Sequence, residues 1–381
     1  MKTTIGKSCV LVNGRAFKPA DWSDSGLPIV RIQNLNNPLK TFNYYDGEVN
    51  DKFKINNGEL LFSWSGTPGT SFGAFFWSRG EAILNQHIFK VIVDENKIYK
   101  KYYKYALNSK IGEIIENAHG GVGLKHITKA RLESVEIYLP SLSKQEYIAD
   151  ILEKSEKILE SRKEIIRLFD TFLNAKFLDM FGNPETNPKN FPVGCIRDLV
   201  SSVNYGSSEK ASEDCEGYPM LRMGNITYQG YWDFQDLKYI KLDERAKEKY
   251  LVKKGDLLFN RTNSKELVGK TAVFDSDTEM AFAGYLIRVR SNDLGNNYYL
   301  SGYLNSTHGK NTLINICKSI VGMANINAQE LQNIKILIPP KNLQDRYEEI
   351  YKTVRKKVAL HAESKLELEK LFNTLSKNFF N

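Results

Sequence analysis

Pro28-Ile29-Val30-Arg31-Ile32-Gln33-Asn34-Leu35 returns 191 residues later as Pro219-Met220-Leu221-Arg222-Met223-Gly224-Asn225-Ile226. Gly58-Glu59-Leu60-Leu61-Phe62-Ser63 returns as Gly255-Asp256-Leu257-Leu258-Phe259-Asn260, at an offset of 197. Gly123-Leu124-Lys125-His126-Ile127-Thr128 returns as Gly322-Met323-Ala324-Asn325-Ile326-Asn327, at an offset of 199. Leu132 through Leu139-Pro140 matches Leu331 through Ile338-Pro339, and Gln145 matches Gln344, again at 199. The offset grows because the second copy carries small insertions. A period of about 200 residues is far longer than a solenoid repeat. It implies a duplicated domain and a molecule with approximate two-fold symmetry.

Each copy has two parts. The first is rich in Gly, Asn, Ser and aromatics and holds short apolar runs, such as Glu59-Leu60-Leu61-Phe62, His87 to Val93 and Val135 to Leu139. β-branched and aromatic residues bounded by turn residues predict strands. Tyr99 to Ser109 and Tyr298 to Ser306 predict short helices packed on them. The first part is therefore expected to be α+β with a largely β core.

The second part is a long helix. No Pro or Gly interrupts Gln145 to Phe181. Ile151, Ile158, Ile165 and Phe172 recur every seven residues, with Leu152, Leu159, Ile166 and Leu173 beside them and Ile148 and Phe169 in the other seam position. Such a heptad pattern calls for a partner helix. Gly182-Asn183-Pro184 is a stop signal. From Asn342 to Phe379, Tyr347, Ile350, Val354, Val358, His361, Leu368, Leu371 and Leu375 keep the same spacing. Arg162 and His361 fall at matching seam positions and read as polar layers that set register. The expected organisation is a globular domain over 1–143, a central spacer helix over 144–182, a second globular domain over 183–341 and a C-terminal spacer helix over 342–381. The two helices pair as an antiparallel coiled coil. The alternative is that each helix packs only on its own domain.

The 381 residues include 53 Lys plus Arg and 45 Asp plus Glu, for a net charge of +8, and 41% are apolar. That balance excludes a disordered tail protein. The surplus is uneven: residues 1–140 carry 18 basic and 13 acidic side chains, whereas residues 182–339 carry 19 and 18. It permits duplex binding without requiring it. No run approaches the length of a membrane span. The first residues lack a secretory pattern, so a cytoplasmic location is expected. The four cysteines form no C-x-x-C pair, and the five histidines no metal-ligand cluster.

No catalytic motif survives inspection. Gly269-Lys270-Thr271 resembles the end of a phosphate-binding loop, but Ser264 stands where that loop needs Gly. Phe181-Gly182-Asn183-Pro184 is followed by Glu185 and ends a helix, unlike an amino-methyltransferase motif. Ser63, Ser65 and Ser71 lack a nucleophile-elbow frame. Asp275, Asp277 and Glu279 read as a solvated turn more readily than a metal site. The chain is expected not to be an enzyme.

Two copies of a globular part followed by a long helix resemble the specificity subunit of type I restriction-modification systems. The resemblance is carried by the repeated segments above. Leu139-Pro140-Ser141-Leu142-Ser143-Lys144-Gln145 with its counterpart Ile338-Pro339-Pro340-Lys341-Asn342-Leu343-Gln344 adds to it, as does Asp179-Met180-Phe181-Gly182-Asn183-Pro184. It covers essentially the whole chain. The resemblance implies two target recognition domains, each reading one half of a bipartite, asymmetric double-stranded DNA target. The helices would space the half-sites and dock two methyltransferase subunits, and motor-nuclease subunits would join the complex. S-adenosylmethionine, ATP and Mg would act in those partners, with no cofactor in this chain. A protein-binding scaffold with two β-rich heads is the alternative of another class, and a fused methyltransferase-nuclease is a third.

Base edges in the major groove are read by polar side chains on exposed loops. The loop after Gly58–Phe62 supplies Ser63, Trp64, Ser65, Thr67 and Thr70, and its counterpart supplies Asn260, Arg261, Thr262, Asn263 and Lys265. The Gly-rich segment supplies Lys125, matched by Asn325 in the other copy. Arg31 with Asn34, and Arg222 with Asn225, occupy identical positions in both copies. Identity between two divergent readers favours a backbone role over base choice. Each loop could also be a turn that satisfies its own backbone.

Overall fold

The computed structural model describes residues 1–37, 39–66, 72–116, 125–320 and 323–380. Two compact units divide the chain. One is Met1–Arg162 with Ser364–Asn381, and the other is Lys163–Glu363.

In the first unit an antiparallel sheet runs in the order Cys9–Asn13, Ile88–Val93, Leu60–Ser63, Gly73–Phe76. Leu60-Leu61-Phe62 is apolar throughout because both faces of this strand are covered. Alternate side chains point to opposite faces. Leu60 and Phe62 enter a core with Tyr103 and Leu107 of the helix Lys100–Ser109. Leu61 enters a second core with Val30, Ile55, Trp77 and Leu84. That core lies under a second sheet, in which Leu27–Val30 pairs in parallel with Ala82–Leu84. Each fully buried Leu or Phe here contributes about 1.5–3 kcal/mol.

The second unit repeats the design. Its sheet runs Val200–Tyr205, Leu286–Ser291, Leu257–Asn260, Thr271–Val273. Leu257 and Phe259 pack with Tyr299 and Tyr303 of the helix Asn297–Asn305. Leu258 faces the other core with Leu221 and Phe282. Gly58 and Gly255 stand two residues before the two central strands with φ of +85° and +89°. Nothing lies within 4 Å of a Cβ built on either. The backbone angle, not space, selects glycine at both.

Both units close in the same way. Lys2–Thr4 pairs with Glu136–Tyr138, and Val193–Cys195 pairs with Lys335–Leu337. Tyr102 and Tyr299 donate their hydroxyls to the carbonyls of Tyr138 and Leu337 in those closing strands.

The long helices span Leu142–Phe181 and Lys341–Phe380, 40 residues each. At 1.5 Å per residue each is about 60 Å long. The first ends as its sequence predicts: Gly182 has φ +77° and its N–H bonds to Leu178 O at 2.8 Å, an αL stop. In the second unit the helices run antiparallel. Phe181 meets Tyr347 at 5.6 Å between ring centroids, and Phe169 meets His361 at 5.9 Å. In the first unit Phe372 and Phe380 of the second helix pack with Ile148, Ala149 and Leu152 of the first.

The seam differs from the expected one. Leu152 and Leu173 are buried, whereas Ile158 and Phe172 of the neighbouring stripe are 46% and 48% exposed. Leu371 of the second helix is 52% exposed. Two adjacent heptad stripes cannot both face one partner, and the partner takes the Leu152–Leu173 row. Among the described residues no helix is long and apolar enough to cross a membrane, and no three His, Cys, Asp or Glu are grouped to hold a metal ion.

Candidate nucleic-acid interface

The two polar segments singled out in each copy meet. Ser65–Gly66, just after the central strand, pairs with Lys125–His126 as a short antiparallel ladder. Thr262–Asn263 pairs with the strand Met323–Asn325 in the same way, through Thr262↔Asn325 and Asn263↔Ala324. Sequence separation hides this proximity; the sheet register creates it.

In the second unit these residues line a groove of about 1060 Å³, together with Arg222, Asn225, Lys270 and Tyr285. Arg261 is part of the same lining. Its Nη2 donates to Asn325 Oδ1 at 3.3 Å, and its guanidinium lies 4.7 Å from the Tyr205 ring centroid. Asn325 Nδ2 donates to Thr262 Oγ1 at 2.7 Å. Asn263 Oδ1 accepts from Ser264 N at 2.9 Å, and Lys270 Nζ donates to Met223 O at 2.9 Å. Burial pulls the Lys270 ammonium below the usual lysine range. Lys265 is exposed and lies outside the groove lining.

Several candidates have internal roles. Asn34 and Asn225 are buried. Asn34 Oδ1 accepts from Arg31 N at 3.1 Å, and its Nδ2 donates to Lys40 O and Thr41 O. Asn225 does the same with Arg222 N at 2.8 Å and with Asp233 O and Gln235 O. Their polar atoms are used up in holding a turn, so neither amide faces a base. Ser63 and Asn260 are also fully buried, at matching strand ends, and their side-chain polar atoms have no partner among the described residues. These four belong to the framework, a correction to their expected place on the binding surface. Arg222 is tied to Asp236 O. Arg31 donates to Asn43 Oδ1 at 3.3 Å and lies over the Trp22 ring.

In the first unit Trp64 stacks on Phe89, with centroids 5.6 Å apart, and leans on His87 at 5.3 Å. Burial, then the charges of Arg31 and His126, hold the His87 imidazole below its usual range. Ser65 is buried beside Trp64. Thr67 and Thr70 lie outside the described residues, and so does the side chain of Lys125.

The model of the type I restriction modification DNA specificity domain family matches residues 3–168 and, a second time, residues 188–370. The chain belongs to that family. Two matches to the specificity domain therefore account for the repeat. The chain is 24% identical over 241 residues to the EcoKI specificity subunit of Escherichia coli (strain K12), covering 59% of this chain and 52% of that relative. It is 21% identical over 370 residues to the EcoBI specificity subunit of Escherichia coli, covering 89% and 75%. The chain thus spans about half the length of the first relative, 52%, and three quarters of the second, 75%. Its fold is shared with the S subunit of the type I restriction-modification system of M. genitalium. The TM-score is 0.62 at 15% identity, over 100% of this chain and 96% of that one. A chain from a structure of type I restriction-modification complex assembly and conformational transition matches at a TM-score of 0.51 and 16% identity, over 100% and 97%.

Sequence reasoning missed groove residues of the second specificity domain. Ser208, Glu209 and Lys210 are exposed and belong to the groove lining. Tyr285 is 54% exposed and precedes the strand Leu286–Ser291, as His87 precedes Ile88–Val93. An offset of 198, between the flanking offsets of 197 and 199, was the available signal.

Proposed function

We propose that this chain is the DNA sequence-recognition subunit of a type I restriction-modification complex. Each specificity domain takes one half of a bipartite, asymmetric double-stranded target. The observation that carries this reading is the pair of matched framework sites, one per family domain, that present different polar and aromatic side chains. Frameworks of the same register that carry different side chains suit two unlike half-sites. The groove in the second unit offers Arg, Asn, Thr and Tyr, the side-chain types that contact base edges and phosphates.

In this reading the long helices space the half-sites and dock two methyltransferase subunits. Half-exposed apolar residues there, including Ile158, Leu168 and Phe172, support a docking role. Methyl transfer and cleavage take place in partner subunits, which supply S-adenosylmethionine, ATP and Mg, and this chain is not itself an enzyme. The complex works in the cytoplasm.

The test is methylation profiling of a host genome with and without this gene, in the presence of its methyltransferase. A gene-dependent motif of two unlike half-sites around an unread gap is the expected result. No such motif, with the methyltransferase expressed and bound, overturns the reading and favours a protein-binding scaffold. Salt-sensitive duplex binding separates the same two readings, because phosphate contacts release counterions.

A further inference from the structure

The registers of the two central sheets are the same. Ser63 stands opposite Ile88, and Asn260 stands opposite Leu286. One residue further along, Trp64 N donates to His87 O at 3.3 Å, and Arg261 N donates to Tyr285 O at 3.0 Å. Each unit thus holds a residue at the same backbone point, fixed by the strand that follows it and by a backbone bond from the residue just past the central strand. The backbone register around that point is the same in the two units, while the residue held there is His in one and Tyr in the other.

Tyr285 stands in the lining of the groove and is 54% exposed. Among the described residues its hydroxyl has no hydrogen-bond partner and its ring no stacking partner. It adds to no core cluster, so folding does not explain an aromatic residue there. Its main chain is nevertheless held firmly, through Arg261 N and the strand that follows. A phenol held in this way presents a donor and acceptor together with an apolar ring edge, which suits a base edge or a thymine methyl group in the major groove.

We propose that Tyr285 is a specificity-determining residue of the second recognition domain. His87 occupies the corresponding point in the first and gives that domain a different surface. The inference rests on the DNA-recognition function proposed above and names one residue that sets base choice within it.

The experiment uses the full chain assembled with its methyltransferase. Genomic methylation is profiled for the wild type, Tyr285→Phe, Tyr285→Ala and His87→Ala. Tyr285→Ala is expected to relax one base position of a single half-site. Sites differing at that position should rise from background to within about tenfold of the cognate motif, since one mismatch ordinarily costs on the order of 10- to 100-fold. The other half-site stays as it was, which also shows that the chain is folded and assembled. His87→Ala is expected to change only the opposite half. Tyr285→Phe separates the hydroxyl from the ring. An unchanged motif in Tyr285→Ala overturns the inference. So does an equal loss on every sequence, read by duplex competition on the assembled complex, because that marks affinity without base choice. A wild type that yields no motif overturns the proposed function itself and is distinguishable from both.

Discussion

Gln145 Oε1 accepts a hydrogen bond from the backbone N–H of Tyr99 at 2.9 Å, in the first turn of the first long helix. Its Nε2 donates to Lys97 O at 3.0 Å and Pro140 O at 2.9 Å. Gln344 repeats the anchor, donating to Leu294 O at 2.9 Å and Pro339 O at 2.8 Å. Both side chains are fully buried. Gln145→Leu would leave one N–H and two carbonyls without this partner. We expect a loss of about 2–4 kcal/mol, measured as a lower denaturant midpoint. An unchanged midpoint would mean that water takes over the three bonds.

Asp256 ties its own turn to the strand Leu286–Ser291 in the second unit. It accepts from Arg290 at 2.7 and 3.0 Å and from Lys253 N at 2.9 Å, and Arg288 lies 3.9 Å away. Asp256 and Arg288 are both buried. Asp256→Ala should cost about 3 kcal/mol, because removing one partner strands buried positive charge. Glu59 and Lys90 are the more exposed counterpart at 2.5 Å, so Glu59→Ala should cost less. Calorimetry on the two variants orders them, and equal shifts would refute the burial argument.

Lys210 is exposed in the groove lining and has no acidic partner among the described residues. Under the proposed function, a lysine in this position is expected to contact phosphate and not a base. Lys210→Ala should weaken duplex binding to a similar degree on all sequences and lower the salt slope by about 1. Titrations at several salt concentrations measure this directly. A change in sequence preference would assign Lys210 to base readout instead.

Lys310 lies with Nζ 3.4 Å from the Tyr228 ring centroid and 3.0 Å from Tyr228 O. Burial pushes its ammonium down to about 8. A lysine whose folded value lies below its unfolded value penalises folding fully at lower pH. The penalty fades as pH rises from about 8 toward the unfolded lysine value of about 10.4. The wild type should therefore gain stability relative to Lys310→Met across that window. Paired denaturation curves at pH 7, 9 and 10 test the sign.

The duplication was legible because the central strands carry their apolar residues contiguously and a turn glycine precedes each. Helix ends were legible through Gly182 and the prolines before each long helix. The correct helix face was not, since Ile158 and Leu159 both fit a heptad and only the partner's position chooses between them. Asn34 and Asn225 look like exposed amides in sequence, yet local turns consume every polar atom they own. Tyr285 was hidden for the opposite reason. A single aromatic before a strand has no periodicity, and only the register with Asn260 brings it to the groove.

The closing ladders have a practical result. Lys2–Thr4 lies against Glu136–Tyr138, and Val193–Cys195 against Lys335–Leu337, so each globular body is entered and left at one seam. A foreign body with the same two border strands can be grafted there without recutting either helix. If the proposed function holds, target preference becomes an exchangeable cassette, and hybrids spliced at Tyr138 or Val193 should inherit one half of their preference from each parent.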